Sequence, residues 1–481
     1  MRSIIGLAAV LLAATVQGAS AQTKSSDYKE PYQQKALEIY RTAIGIPTVA
    51  GRAKTPALAT YLADEFRDGG FPDEDIHILP FDIDGEDVNG LVVRYRGNGA
   101  AGKKPILLIA HMDVVEAFRE DWDREPFKLI EEDGYFYGRG VIDDKFGVSI
   151  LTATFLRLKA EGFTPNRDLI ISFSGDEETG MLTTRALVTK HRKLTDAEFA
   201  LNADTGGGML NDKGEGLAYI IQAAEKTYAT FELTTRHAGG HSSAPRLDNA
   251  IFELNDAIAR LRAYRFPVRS TELSRAQFAA ISNMTPGPVG DAMRRLSEDP
   301  SDKEAADVLW DQPDFVGMTR TTCTPTMLRG GHAENALPNS ATVTVNCRIF
   351  PGVEVETVQQ TLRDIVDNDR VEIKMLDDPK ATPYFPLRED VAAAVEKAVH
   401  ARYPGIPIVP ILAPYATEAR ELNSVGIPTV GVMGLFAPFD HDGGVHGRNE
   451  NVPVAAFFGA LEHWRVLLDE LAGQSPDTSA E

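Results

Sequence analysis

Short, wholly apolar runs alternate with longer stretches of helical spacing over much of this chain. "PILLIA" (105–110) predicts a buried strand, and "FGVSILTATFLRLKAEG" (146–162) predicts a helix closed by Gly162. "LIISFS" (169–174) and "EFALNA" (198–203) predict further strands. Near the end, "IPTVGVMG" (427–434) repeats the strand style, and "VPVAAFFGALEHWRVLLDEL" (452–471) predicts a closing helix. Strands alternating with helices imply the α/β class: a mostly parallel central sheet with helices on both faces.

The middle of the chain follows another rhythm. "TYATFELTTRHAGGHS" and "ATVTVNCRIF" alternate apolar and polar residues, as half-exposed antiparallel strands do. Residues 252–312 between them are helical in spacing and charged. This predicts an α+β lid or dimerisation domain over residues 223–387, inserted into a catalytic domain formed by residues 22–222 and 388–481. A length of 481 residues agrees with two domains rather than one core. Residues 1–21 read as a secretory signal: Arg2, the apolar stretch Ile4 to Val16, and the small residues Ala19-Ser20-Ala21 before Gln22. The apolar stretch is short for the roughly 30 Å of a bilayer core, so export to the periplasm or medium is expected rather than anchoring.

Charge narrows the partners. The formal charge is −21, and loss of the leader with Arg2 makes it −22. A phosphate backbone or an anionic membrane asks for a basic face, so neither nucleic acid nor membrane is an expected partner. The two cysteines, Cys323 and Cys347, lie in β-like runs separated by the turn-rich "RGGHAENALPNS". A hairpin centred near Asn335 would set them opposite each other, as a disulfide in an exported protein or as two buried thiols.

The chemistry lies where the strands stop. "PILLIA" runs into His111-Met112-Asp113, "LIISFS" into Gly175-Asp176-Glu177-Glu178, and "EFALNA" into Asp204. The loop "GRGVIDDKFG" carries Asp143 and Asp144, and "HDGGVHGRNE" carries His441 and His446. In open α/β sheets, sites form beyond the carboxyl ends of strands. One acid at such an end is ordinary loop polarity. Several ends supplying only His, Asp and Glu suit Zn²⁺ or a similar first-row ion, and two close cations would relieve the repulsion among the carboxylates. Asp113, two residues after His111 on an extended segment, could orient that imidazole.

In this order, "HMDVV", "GRGVIDDK", "SGDEETG", "NADTGGG", "GGHSSAP" and "VHGRNE" resemble the di-zinc exopeptidase family of glutamate carboxypeptidase, aminoacylase and carboxypeptidase S. The carboxypeptidase S branch is the most similar, through "FREDWDREPFKLIEEDGYFYGRGVIDDK" and the long helical insert. The resemblance implies two Zn²⁺ per chain, with Co²⁺ or Mn²⁺ as substitutes. Asp143 would be shared by both ions, His111 and Asp204 would complete one, and Glu178 and His446 the other. Glu177 would be the general base that activates a water for attack on an amide of a peptide or N-acyl amino acid. The bond between Asp143 and Asp144 is expected to be cis. His241 would stabilise the oxyanion, with His237 as its rival. Asn335 and Arg348 would contact substrate, Arg348 by clamping a free carboxylate. Relatives dimerise through the inserted domain, so a homodimer is expected as an option.

The chain departs from the family in two places. Tyr415-Ala416-Thr417-Glu418-Ala419-Arg420 stands where glycines and an Asp are frequent, which bears on substrate binding by Arg420. Phe146 follows "DDK" where glycine is usual. Three other readings compete. A dipeptidase or aminopeptidase would need a free amine on its substrate. A serine hydrolase built on "GHSSA" around Ser242 nearly fits G-x-S-x-G but ends in Ala244 and leaves the strand-end ligands unused. A non-catalytic solute-binding protein would have no use for Glu177 beside all five ligands.

Overall fold

The computed structural model describes residues 23–283, 285–376 and 379–474. The expected leader, residues 1–21, lies outside the described residues. The chain gathers into two compact units. One comprises the chain up to Ala223, Phe385–Ile411 and Thr417 onward; the other comprises Ala224–Tyr384 and Leu412–Ala416. The short piece Leu412–Ala416 differs from the expected division. Its placement has a local cause: the Leu412 N–H donates at 3.0 Å to Oε1 of the buried Gln277, on the helix Glu272–Ser282.

The first unit is built on a ten-stranded sheet. Its centre is Leu169–Ser174, Ile106–His111, Phe199–Asn202 and Thr429–Gly431, side by side and parallel. Antiparallel strands flank this centre, with Glu86–Tyr95 on one side and Gly216–Glu225 on the other. Every residue of Ile106–His111 and of Leu169–Ser174 is buried, so both faces of the sheet are covered. On one face, Val92, Leu107, Ile109, Ile170 and Ala200 pack against Leu187, Val188 and Leu422. Each such buried Leu or Ile stabilises the fold by about 1.5–3 kcal/mol relative to exposure. Three further helices, Pro31–Gly45, Lys145–Ala160 and Val454–Ala472, meet through Tyr40, Phe146 and Phe457, with the Tyr40 and Phe457 rings stacked at 4.4 Å. One hairpin was not among the expected elements. Ile76–Ile83 and Glu86–Tyr95 are joined by Asp84-Gly85, whose φ angles of +53° and +85° are those a tight two-residue turn requires.

The second unit holds a four-stranded antiparallel sheet in the order Thr322–Gly330, Ser340–Ile349, Thr227–Arg236, Val371–Leu376. Strand Ser340–Ile349 alternates buried and half-buried residues throughout, the two-residue period read from the sequence. Its buried side meets the helix Ala250–Ala263. The charged region folds as successive helices, among them Pro288–Glu298 and Lys303–Trp310, around Phe278, Met293, Leu296 and Leu309. Cys323 and Cys347 are directly opposed and disulfide-bonded. Strand Thr322–Gly330 is an edge, with Met327 and Leu328 exposed on it. Among the described residues, no helix is long and apolar enough to cross a membrane.

Candidate metal centre

Because Leu169–Ser174, Ile106–His111 and Phe199–Asn202 are parallel neighbours, the residues that follow them emerge together at one end of the sheet. His111 closes its strand and is fully buried. Its Nε2 lies 2.8 Å from Oδ1 of Asp143 and 3.8 Å from Oδ1 of Asp204. The other oxygen of Asp143 lies 3.0 Å from Nε2 of His446, and that same nitrogen is 3.0 Å from Oε2 of Glu178. Asp143 therefore sits between two imidazole nitrogens. Asp204 stands near the first nitrogen and Glu178 beside the second. The peptide bond between Asp143 and Asp144 is cis.

The three consecutive acids after Leu169–Ser174 have three different environments. Asp176 is buried and accepts the Leu182 and Thr183 N–H groups at 2.8 and 2.9 Å, capping the helix Leu182–Val188. Glu178 faces His446. Burial drives the Glu177 carboxyl well above the usual carboxylate range; His111 opposes this, and Asp204 and Glu178 reinforce it.

Two more carboxylates organise the main chain. Oδ1 of Asp113 accepts the Glu177 N–H and Oδ2 accepts the Glu178 N–H, both at 3.0 Å. Nδ1 of His111 bonds instead to the Asp113 carbonyl oxygen at 3.0 Å, with the carboxylate 3.6 Å away. Orientation of the imidazole thus comes from the backbone of Asp113, while its side chain holds the Glu177-Glu178 turn. Asp144 accepts the Gly147 N–H at 3.0 Å, capping the helix Lys145–Ala160, and the His111 N–H at 3.2 Å. Its oxygens also come within reach of His111 and Asp204, but these two backbone bonds already engage them.

The electrostatics of the cluster are dominated by its carboxylates. Asp143, Glu177, Glu178 and Asp204 converge on only two imidazoles. Burial works against ionisation of Asp143, but hydrogen bonds from His111 and His446 hold its carboxyl well below the usual range. Burial, then the charge of Asp143, pushes Asp204 up to about 8. Hydrogen bonds from Asp143 and Glu178 raise His446 to about 10. Oxygen and imidazole donors converging in this way fit divalent cations, and the donor set suits zinc or a neighbouring first-row metal.

One clamp escaped the sequence reading. Glu450 is fully buried; its Oε2 accepts from Arg139 Nη1 at 2.7 Å and from the Gly140 N–H at 2.9 Å. Its Oε1 accepts the Ile142 and Asp143 N–H groups at 2.7 and 3.2 Å. Arg139 also donates to the Gly447 carbonyl at 2.7 Å. The loop carrying His446 is thereby tied to the loop carrying Asp143. The signal was present, since "GRG" and "HGRNE" both carry these residues, but nothing local pairs them. Glu418 is also fully buried, accepts from Thr184 Oγ1 at 2.6 Å, and is pushed by burial up to about 7. Arg420 lies 3.3 Å from Glu421, whose carboxylate Arg185 also holds.

The remaining candidates belong to the second unit. His241 ends the short strand Gly240–His241, which pairs with Ala336–Leu337. The Asn335 carbonyl accepts the Ser242 N–H at 3.1 Å, so Asn335 and His241 share one loop pair. Gly239 and Gly240 have φ of +72° and +148°, and a Cβ on Gly239 would fall 2.1 Å from Asn339 Oδ1, so the "AGGH" turn needs its glycines. His237, the rival, is set against acids: its Nε2 is 3.0 Å from Glu253 Oε2. Arg348 lies elsewhere, opposite Tyr228 in register, its guanidinium 4.6 Å over that ring. From Ser340, beside the His241 loop, to Arg348 is roughly 26 Å of strand at about 3.3 Å per residue. Asn335 and Arg348 are therefore not brought together within one second unit.

A model of peptidase family M20/M25/M40 matches residues 107–470. The chain belongs to this family. As an M20 protein it is a metal-binding hydrolase of the metallopeptidase and amidohydrolase class. It is 26% identical over 436 residues to the N-fatty-acyl-amino acid synthase/hydrolase PM20D1 of Xenopus tropicalis, covering 89% of this chain and 84% of that one. It is 23% identical over 454 residues to aminoacylase-1 of Sus scrofa, covering 92% and 96%. The M20 family metallo-carboxypeptidase Sso-CP2 of Sulfolobus solfataricus superposes with a TM-score of 0.67 at 19% identity, covering 90% of this chain and 98% of that one. That likeness is one of fold.

Proposed function

We propose that this M20 protein is an exported, di-zinc amidohydrolase of carboxypeptidase or aminoacylase type, cleaving N-acyl amino acids or peptides that carry a free carboxylate. The observation that carries the reading is Asp143 held between His111 and His446, with the half-buried Glu177 beside them. His111, Asp143 and Asp204 would hold one ion, and Asp143, Glu178 and His446 the other. Zinc ions held there would supply the acidification of a water and the polarisation of a carbonyl. With cations beside it, Glu177 would be ionised, would accept the proton of the attacking water on its carboxylate and would deliver it to the leaving nitrogen. Asp113 fixes the turn that aims Glu177. His241 donates to the carbonyl oxygen as charge gathers there, and Arg348, stacked on Tyr228, receives the substrate carboxylate. The names of two relatives, an N-fatty-acyl-amino acid synthase/hydrolase and an aminoacylase, support this substrate class.

A homodimer through the second unit is part of the proposal. Strand Thr322–Gly330 is an open edge carrying exposed Met327 and Leu328, and Ile251 and Phe252 are exposed on the helix Ala250–Ala263. His241 lies in the loop pair that precedes Ser340, roughly 26 Å of strand from Arg348 at about 3.3 Å per residue, so two copies would be needed to bring both to one amide. Sedimentation of the purified protein decides this: a monomer at working concentration refutes it.

The activity is tested with an N-acyl amino acid, its C-terminal amide and a free dipeptide, following amine release, with Glu177→Ala as control. Cleavage of the acyl amino acid but not its amide supports the reading. Cleavage of the dipeptide alone refutes it in favour of an enzyme that reads a free amine. Export is tested by fractionating cells that express the full chain.

A further inference from the structure

The loop around His241 fixes more than the position of the ring. The chain turns back after the strand Gly240–His241, with the Ala244 N–H donating to the His241 carbonyl at 3.0 Å. This turn places Ser243 against the imidazole it follows. The Ser243 N–H lies 3.1 Å from His241 Nδ1, and Ser243 Oγ lies 2.8 Å from the same nitrogen. A backbone N–H can only donate. Nδ1 must therefore present its lone pair, and the proton of the neutral imidazole resides on Nε2. The other tautomer would set one N–H against another. His241 is exposed, so core packing does not account for this arrangement.

We infer that Ser243 is a positioning residue that locks His241 in the Nε2–H tautomer, so that the ring presents a hydrogen-bond donor, not a base, to the substrate carbonyl oxygen. This rests on the reading of His241 as the oxyanion donor given above. Where a carboxylate often stands behind a catalytic imidazole, here a serine N–H and O–H meet the ring and orient it. His237 is the contrast, with Glu253 at 3.0 Å. The hydroxyl adds to what the backbone begins, so its removal loosens the ring without abolishing the turn.

The test is ¹⁵N NMR of the full-length, zinc-loaded enzyme labelled in histidine, with the His241 signals assigned by their loss in His241→Ala. The wild type is expected to show a protonated Nε2 and an unprotonated Nδ1. Ser243→Ala is expected to show a mixture of tautomers and a kcat lower by roughly three- to tenfold with KM nearly unchanged, the scale of one hydrogen bond. Ser243→Thr is expected to restore both. A wild-type ring protonated on Nδ1 overturns the inference, as does Ser243→Ala with wild-type spectrum and kcat. If His241→Ala keeps full kcat while the wild-type ring is protonated on Nε2, the donor reading of His241 fails, and the role given to Ser243 fails with it.

Discussion

Replacing Asp113 by Asn tests how the catalytic turn is held. The side chains are nearly isosteric, and the site is buried, so the change is chemical. Asp113 receives two consecutive N–H groups, those of Glu177 and Glu178, each at 3.0 Å. Asn keeps one acceptor oxygen and turns an NH₂ toward the other N–H. A hydrogen bond to a charged group contributes about 1.5–3 kcal/mol, so roughly 2 kcal/mol of positioning is lost at the turn that carries both the proposed base, Glu177, and a proposed ligand, Glu178. Realised in the transition state, that is about a 30-fold fall in kcat. Metal retention should weaken as well, by about 10- to 100-fold, as it does when partners behind metal ligands are removed. The assays are steady-state hydrolysis at saturating zinc and metal content after dialysis against graded chelator. The Nδ1 bond of His111 goes to the Asp113 carbonyl, which Asn retains, so the imidazole should stay in place. An Asp113→Asn enzyme with wild-type kcat and metal retention would refute the reasoning. So would a structure of the variant in which His111 has rotated while the Glu177-Glu178 turn has not moved.

Other perturbations have equally definite outcomes. Glu450→Gln leaves the buried Arg139 without its charge partner and should cost about 3–5 kcal/mol in denaturant unfolding, with early loss of metal; a change below about 1 kcal/mol would contradict the clamp. Glu418 has a folded value of about 7 against 4.5 for an ordinary Glu. In chelated protein the folded state then holds an extra proton between those pH values, so stability falls as pH rises through that window, by ~3 kcal/mol in all. Glu418→Gln should flatten that slope, and parallel stability curves for the two proteins would show that Glu418 ionises normally. Tyr228→Ala removes the ring under Arg348 and should raise KM for an acyl amino acid about two- to fivefold, with Tyr228→Phe unchanged; equal KM values in all three would detach Tyr228 from substrate.

The sequence was most informative where physics is local. "LIISFS" is the strand Leu169–Ser174 to the residue, and "PILLIA" is shifted by one because His111 continues the ladder. The predicted helix at 146–162 runs from Lys145 to Ala160, its start set by the Asp144 cap. The Asp84-Gly85 hairpin was equally local and was passed over, since its strands mix polar and apolar residues instead of forming an unbroken run. What no period or spacing reveals is a bond between distant segments. Arg139 and Glu450 meet across 311 positions. Whether Asp113 would serve a neighbour's ring or two remote N–H groups depended on the path of the Glu177 turn. The separation of Asn335 from Arg348 followed from strand register, which a motif list does not contain.

The expected cation holders lie in the first unit, whereas His241, Asn335 and Arg348 lie in the second, a body whose main stretch leaves the first after Ala223 and returns at Phe385. Each unit has its own core. A mutation that reshapes Tyr228 or the "AGGHSSAP" turn therefore leaves intact the clamp of Arg139 and Glu450 that ties the His446 loop to the Asp143 loop. Such a chain can drift toward new substrates while keeping its chemistry, and a graft of residues 224–384 from one relative into another is a rational way to move specificity between them.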